Sequence, residues 1–384
     1  MIFSNKYIDY TTKSKRELYE TLLLFKLLSN SHLVYIGKYL LKFSIKIKLP
    51  ISNLIKKTIF KHFCGGENII ESQKKIRELG KHNIKTILDY SVEGQNHVNN
   101  LEQVYQEIMN NLDVAQNNTL IPFCVFKITG ISRFELLTKI SAKIPLNTQE
   151  NNELKILKNR LNKICSKAQE VNKPILIDAE ESWIQNAIDD LVEALMIRFN
   201  KKTVLVYNTI QFYRWDKLKY MKKLHETGKS RNFKIGVKIV RGAYMEKERF
   251  RAQQKNYKSP IHKDKLACDH DFNKASKYCL DHLNDISVCF GTHNEQSTKY
   301  ILELMQKYNI DNSDKRIYFS QLLGMSDNIS FYLAHFNYNV AKYVPYGPVK
   351  YVIPYLIRRA EENSSIGSQT DGEIKRIKQA IKNN

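Results

Sequence analysis

Short apolar runs separated by longer amphipathic stretches dominate the chain from about residue 80 onward. Eight runs are of strand length and rich in β-branched or aromatic residues: 84–90, 124–129, 174–178, 203–208, 234–240, 286–290, 317–320 and 338–343. Each is followed by a stretch whose apolar positions recur at helical spacing, the pattern of repeated βα units around a parallel sheet. Eight such units in succession predict an α/β fold, a (β/α)8 TIM-like barrel, in preference to a doubly wound sheet. No Gly-x-Gly-x-x-Gly follows any run, so the usual dinucleotide fingerprint is missing.

The amino end is patterned differently. Residues 1–64 hold eleven lysines and Arg16 against Asp9, Glu17 and Glu20, a local charge of +9 in a 384-residue chain of formal charge +22. Leu22, Leu23, Phe25, Leu40, Leu41, Phe43, Ile55, Ile59 and Phe60 are mixed with those lysines at roughly helical spacing. Two readings stand: a basic amphipathic helix lying on anionic lipid, or a helical cap whose lysines are simply solvated. The apolar run at 22–28 is broken by Lys26 and too short to span a bilayer, and no small-residue cleavage site follows it, so neither secretion nor a transmembrane anchor is indicated. The six cysteines include no Cys-x-x-Cys pair, which argues against a zinc knuckle or a dense disulfide framework and suits a reducing compartment.

A barrel places its chemistry at the C-terminal ends of the strands and in the loops that follow. Lys127, Asp178, Gln211, Lys238 with Arg241, His293 with Asn294, and Tyr343 each lie at or just beyond the end of a different run. Any one of these alone reads as a structural hydrogen-bonder or a solvated loop residue; six in register point to a site. The segment from Lys238 through Arg241, Gly242 and Ala243 puts two cations around an apolar pair and then a step without bulk, where a flat ring or a pyrophosphate can approach the main chain.

That segment also carries a resemblance. Val-Arg-Gly-Ala-Tyr followed by Met-Glu-Lys-Glu-Arg resembles a hallmark stretch of the proline dehydrogenases, and residues 320–365 are similar to that family almost without a gap. Smaller matches at 88–90, 177–180, Gln211 and 291–294 fall in the family's order, and the likeness extends over about residues 65–366. The resemblance implies oxidation of L-proline to Δ1-pyrroline-5-carboxylate by hydride transfer to noncovalently bound FAD, with electrons leaving to a membrane quinone. Implied with it are Asp178 and Lys238 as catalytic residues, and Lys127, Tyr343, Arg358 and Arg359 as substrate-binding residues. Ala179, Gln211, Arg241, Gly242, Ala243, His293 and Asn294 fall at cofactor-binding positions, Leu322 and Tyr244 are candidate walls over the substrate ring, and Glu93 is a candidate partner for the first arginine.

The types of residue suit those roles. A zwitterionic amino acid needs a cationic clamp for its carboxylate, and a helix begun by Pro354 would present Arg358 and Arg359. Spacing alone favours those arginines as a solvated face paired with Glu361 and Glu362; the resemblance reverses that preference. Asp178 is expected beside Lys127, tuning where protons sit.

Two rivals were weighed. A Schiff-base aldolase on the same barrel would use Lys127 or Lys238 as nucleophile but leaves the arginine pair without a role. A nucleic-acid-binding protein would explain the charge, yet no recognised binding motif is visible. The expected organisation is a basic amphipathic helical arm at 1–75, the catalytic barrel at 76–366, and a charged C-terminal tail at 367–384, with a separate pyrroline-5-carboxylate dehydrogenase acting downstream. The expected location is cytoplasmic, peripheral on the inner membrane face, with a mitochondrial enzyme as the alternative.

Overall fold

The computed structural model describes residues 3, 14–47, 52–91, 98–365 and 367–383. An N-terminal arm contains α1 (Lys15–Leu28), α2 (Ser31–Lys46) and α3 (Ser52–Ile55), which runs through a wide turn at Lys56–Phe60 into α4 (Lys61–Phe63); α5 (Ile69–Gly80) leads into the barrel. Then follow β1 (Lys85–Tyr90), α6 (Val98–Gln116), β2 (Cys124–Lys127), α7 (Phe134–Ser141), α8 (Thr148–Glu170), β3 (Ile175–Asp178), α9 (Ser182–Phe199), β4 (Val206–Gln211) and α10 (Lys217–Arg231). The second half holds β5 (Ile235–Val240), α11 (Met245–Gln254), α12 (Lys265–Asp281), β6 (Ile286–Gly291), α13 (Glu295–Lys307), β7 (Ile317–Leu322), α14 (Asp327–His335), β8 (Val340–Tyr346), α15 (Val349–Ser365) and α16 (Gly367–Asn383). The eight strands are parallel and close in chain order, β8 pairing back onto β1. This is the (β/α)8 barrel that the sequence pattern predicts.

Several strand boundaries moved, and two of the shifts have a visible cause. The fourth strand begins at Val206, not residue 203, because the Asn200 side chain accepts the backbone N–H groups of Leu205 and Val206 and holds the preceding residues in a turn. The eighth begins at Val340, after Asn337 turns the chain at φ 60°.

Strand pleating sorts the side chains. Ile175, Ile177, Ile235, Val237, Ile239, Val288, Phe290, Phe319, Val340 and Val344 face the surrounding helices and form the main core with them. The alternate positions fill the barrel interior, where Ile87, Phe123, Val125, Leu176, Tyr207, Ala341 and Tyr343 pack together. Residues in phase with that inner set reach the C-terminal mouth, among them Lys127, Asp178, Thr209, Gln211 and Lys238.

The arm closes over that mouth. Leu18, Leu22 and Phe25 of α1 pack on Ile377 and Ala380 of α16, while Leu28, Ile55, Phe60 and Phe63 pack on Met325, Val352, Tyr355 and Leu356. Residues 367–384, expected as a charged tail, are thus largely helical and seated on the arm. The junction is stitched by backbone bonds: Gly65 N–H donates to Pro345 O at 2.8 Å and Gly347 N–H to Gly66 O at 3.1 Å.

Phe319 is fully buried between Phe290, 5.4 Å away, and Tyr338, 5.9 Å away. Phe319→Ala leaves a cavity at this barrel–helix contact and is expected to lower unfolding free energy by about 3–5 kcal/mol in a denaturant titration.

Candidate active site

Three inward-facing residues from three strands meet at the mouth. Lys238 Nζ lies 2.5 Å from Asp178 Oδ1 and donates to the Tyr343 phenol at 2.7 Å, while that phenol donates to the same Asp178 oxygen at 2.9 Å. Lys238 also sits 4.4 Å from the centre of the Tyr343 ring. A buried ammonium beside a carboxylate is a compensated pair, and the phenol supplies the second bond that makes such a pair tolerable. Burial and the neighbouring Asp178 charge push the Tyr343 phenol far up, so it remains a donor.

Sequence reading expected Asp178 beside Lys127. The two are register partners across β2 and β3, and the carboxylate is taken up by Lys238. Asp89, which lies in the 88–90 match but has no role there, is inward-facing on the neighbouring strand β1. Burial raises its pKa, opposed by the Lys127 charge, and its carboxylate accepts from Ser91 at 2.6 Å. The available signal was its inward phase with Ile87 on β1. Glu180 is a second residue passed over: burial pushes it up to about 7, and it accepts from Thr129 through both backbone and hydroxyl.

The proposed cofactor positions form one wall. Arg241 is immobilised, donating to Asp269 at 2.7 Å, Thr292 at 2.7 Å and Ser297 at 2.8 Å with its plane 4.4 Å from the Phe272 ring. Gly242 follows at φ 133°, and a Cβ there would fall 2.5 Å from the Tyr213 ring, so only glycine fits. Gly242 and Ala243 are exposed, whereas Ala179 and Gln211 are buried, the Gln211 amide donating to Glu180 O at 2.8 Å. Asn294 caps α13, its side chain accepting from Ser297 N–H at 2.9 Å. His293 accepts the Leu322 N–H at Nε2 and faces the Ser326 hydroxyl with Nδ1 at 3.1 Å, so the proton sits on Nδ1.

The arginine pair lies on α15. Pro354 does not start that helix; it lies within it, and the first turn begins after Pro348, whose carbonyl accepts from Tyr351 and Val352. Val349 N–H is instead satisfied by the Glu67 carboxylate of the arm at 3.3 Å. Arg359 pairs with Glu362 as spacing suggested, but Glu361 is taken by Lys38 of α2 at 2.5 Å. Arg359 is 5% exposed and its Nε is buried with no hydrogen-bond partner among the described residues, an unmet donor suited to an anionic group. The charges felt by the Tyr244 phenol include both Lys127 and Arg358, which puts both cations near one ring. Glu93 lies outside the described residues.

Comparison with known proteins identifies the family and the fold. The family model described as proline dehydrogenase matches residues 72–372. Proline dehydrogenase 1, mitochondrial, of Dictyostelium discoideum is 32% identical over 97% of this chain and 73% of its own length. Proline dehydrogenase 2, mitochondrial, of Arabidopsis thaliana is 31% identical over 83% of this chain and 76% of its own. Among solved structures, proline utilization A from Bdellovibrio bacteriovorus inactivated by N-propargylglycine superimposes with a TM-score of 0.74 at 20% identity. That likeness covers 95% of this chain and 39% of the other, and it speaks to the fold.

Burial and the charges of Lys342, Arg359 and Arg241 push the His293 imidazole down to about 3. Between that value and the ordinary 6.5 the unfolded chain binds a proton that the folded one does not, so stability falls as pH drops through this window. Urea midpoints measured from pH 7 to pH 4 should decline in the wild type, and His293→Asn should shallow the slope by about one proton.

Proposed function

Since this chain belongs to the proline dehydrogenase family, we propose that it oxidises L-proline to Δ1-pyrroline-5-carboxylate, with FAD as hydride acceptor and a membrane quinone as the final sink. The observation that carries the reading is the Lys238–Asp178–Tyr343 cluster, directed into the mouth of a barrel beside an arginine with an unmet donor.

The residues suit both guests. Arg241 and the Gly242–Ala243 step, with Ala179, Gln211, His293 and Asn294, would hold FAD: the wall is rich in donors, and its glycine leaves the main chain open to a flat ring. When bound, FAD supplies two-electron acceptor chemistry that no side chain here can provide. Lys238 adds a fixed positive charge on that side of the site. Arg358, Arg359 and Lys127 grip the substrate carboxylate, and Leu322 and Tyr244 wall the ring. Proline loses a hydride from the carbon beside nitrogen most readily when that nitrogen is unprotonated. Asp178, held by Lys238 and Tyr343, is placed to govern where the amine proton goes.

We place the arm at 1–75, the barrel at 76–366 and the closing segment at 367–384. Tyr19, Leu23 and Leu27 of α1, and Leu33, Tyr35, Ile36, Tyr39 and Leu40 of α2, are exposed among lysines, which supports peripheral contact with an anionic membrane. Among the described residues no helix is long and apolar enough to cross a membrane. The location is the cytoplasmic side of an inner membrane or, as the mitochondrial proline dehydrogenases of Dictyostelium and Arabidopsis favour, a mitochondrion. The reactive imine product is consumed by a separate pyrroline-5-carboxylate dehydrogenase.

Anaerobic mixing with L-proline should bleach the visible flavin bands. Arg358→Ala and Arg359→Ala should each raise KM by roughly 10–100-fold, the worth of one charge-assisted hydrogen bond, while retaining flavin. A purified protein that carries no flavin and cannot be loaded with it would sink this reading. Cosedimentation with phosphatidylglycerol vesicles should weaken steadily as salt rises towards roughly 0.5 M, where charges are screened within a few ångströms.

A further inference from the structure

We propose that His62, on the arm and outside the residues matched by the family model, is a positioning residue that fixes the substrate wall at Leu322. The proposal rests on the reading that Leu322 faces proline.

Leu322 ends β7 and is the register partner of Tyr343, whose phenol bonds Asp178. Leu323 N–H then donates to Tyr343 O at 2.9 Å, so the connection leaving β7 is tied to the strand that carries the phenol. Within the next three residues the backbone enters the left-handed region twice, at Gly324 (φ 76°) and Ser326 (φ 52°). A serine there persists only where its surroundings hold it.

The restraints come from three separate elements. His293, beyond β6, bridges Leu322 N–H and the Ser326 hydroxyl. Lys342 of β8, 1% exposed, donates to Met325 O at 2.5 Å and pairs with Asp327 at 2.8 Å. His62 supplies the third: its Nε2 lies 3.1 Å from Gly324 O, and since a carbonyl only accepts, that nitrogen carries the proton.

The imidazole is itself held. Phe25 and Phe63 meet it edge to face at 5.1 Å and 4.6 Å, both at 88°. Approach is so close that a Cβ on Gly324 would fall 2.7 Å from His62 O and 2.8 Å from the ring. Met325 is sealed into the same arm cluster as Phe63. The barrel therefore restrains both ends of the connection, and the arm restrains its middle. Without the His62 donor, the Gly324 carbonyl loses its bond to the arm, the peptide is held among the described residues only through Met325 N–H to Leu322 O at 3.2 Å, and the height of Leu322 over the substrate ring is less firmly set.

The test compares His62→Leu, which keeps bulk and removes the donor, with His62→Gln, whose amide can still reach Gly324 O. On the full-length, flavin-loaded protein, His62→Leu should raise KM for L-proline about 3–10-fold with kcat within about twofold, the effect of one hydrogen bond, and His62→Gln should stay near wild type. Leu322→Ala combined with His62→Leu should raise KM by less than the product of the single effects. If the leucine variant does not fold, His62→Asn, too short to reach Gly324, must show the same rise. Equal losses in the leucine and glutamine variants, strict additivity with Leu322→Ala, or an unchanged KM overturn the proposal. A wild-type protein that proline does not bleach overturns the functional reading as well, whereas a bleaching wild type with an unaffected His62→Leu overturns this proposal alone.

Discussion

A barrel interior has no room for an uncompensated charge, yet this one carries both a lysine and an aspartate inward. Strand alternation sends every second side chain inward, so a lysine on β5 and an aspartate on β3 must find each other or leave. They meet at 2.5 Å, with the Tyr343 phenol bonding both. Thr209 approaches the same carboxylate at 3.4 Å, and Cys289, opposite Lys238 in register, is pushed up to about 11 by burial and so stays neutral. Charge is gathered at the mouth, above an apolar inner layer of Ile87, Phe123, Val125 and Leu176.

Outside the barrel, the same economy governs the arm. Glu67 satisfies the start of α15 and Lys38 ties Glu361 in its second half, so the helix bearing Arg358 and Arg359 is held by residues far away in sequence. Each contact is partly exposed and contributes little alone. Apolar burial of Phe60 and Phe63 against Val352 and Leu356 contributes the larger share and makes the arm integral to the mouth.

Periodicity made the barrel legible, since a strand with apolar residues facing the helices and another set facing inward still reads as a short β-branched run. It also marked Lys127, Asp178, Lys238 and Tyr343, which stand where the alternation delivers polar groups. What periodicity cannot show is a partner. Asn200 displaced the fourth strand through a side-chain bond, Pro354 sits inside a helix whose start is capped by a carboxylate 282 residues away, and Asp178 bonds Lys238 from two strands away. Asp89 was missed because a lone acid at a strand end looks solvated until the closing β1–β8 seam shows it buried. The Asn200 bond is local, whereas the others depend on pairing between residues far apart in sequence that only the folded chain brings together.

Neighbouring residues of β8 show how tightly the mouth is coupled. Tyr343 points inward to Asp178, and Lys342, one residue earlier, points outward under α14 and grips the carbonyls of the β7–α14 connection. Moving the strand by one residue would exchange a phenol for an ammonium in the site and leave the connection without its donor. The neutral His293 fits the same logic, because an imidazolium there would face Lys342, Arg359 and Arg241 with Asp327 as its counter-charge. Its neutrality keeps Nε2 available as an acceptor for Leu322 N–H. The position of Leu322 is therefore tied to a protonation state, a strand register and an arm residue together.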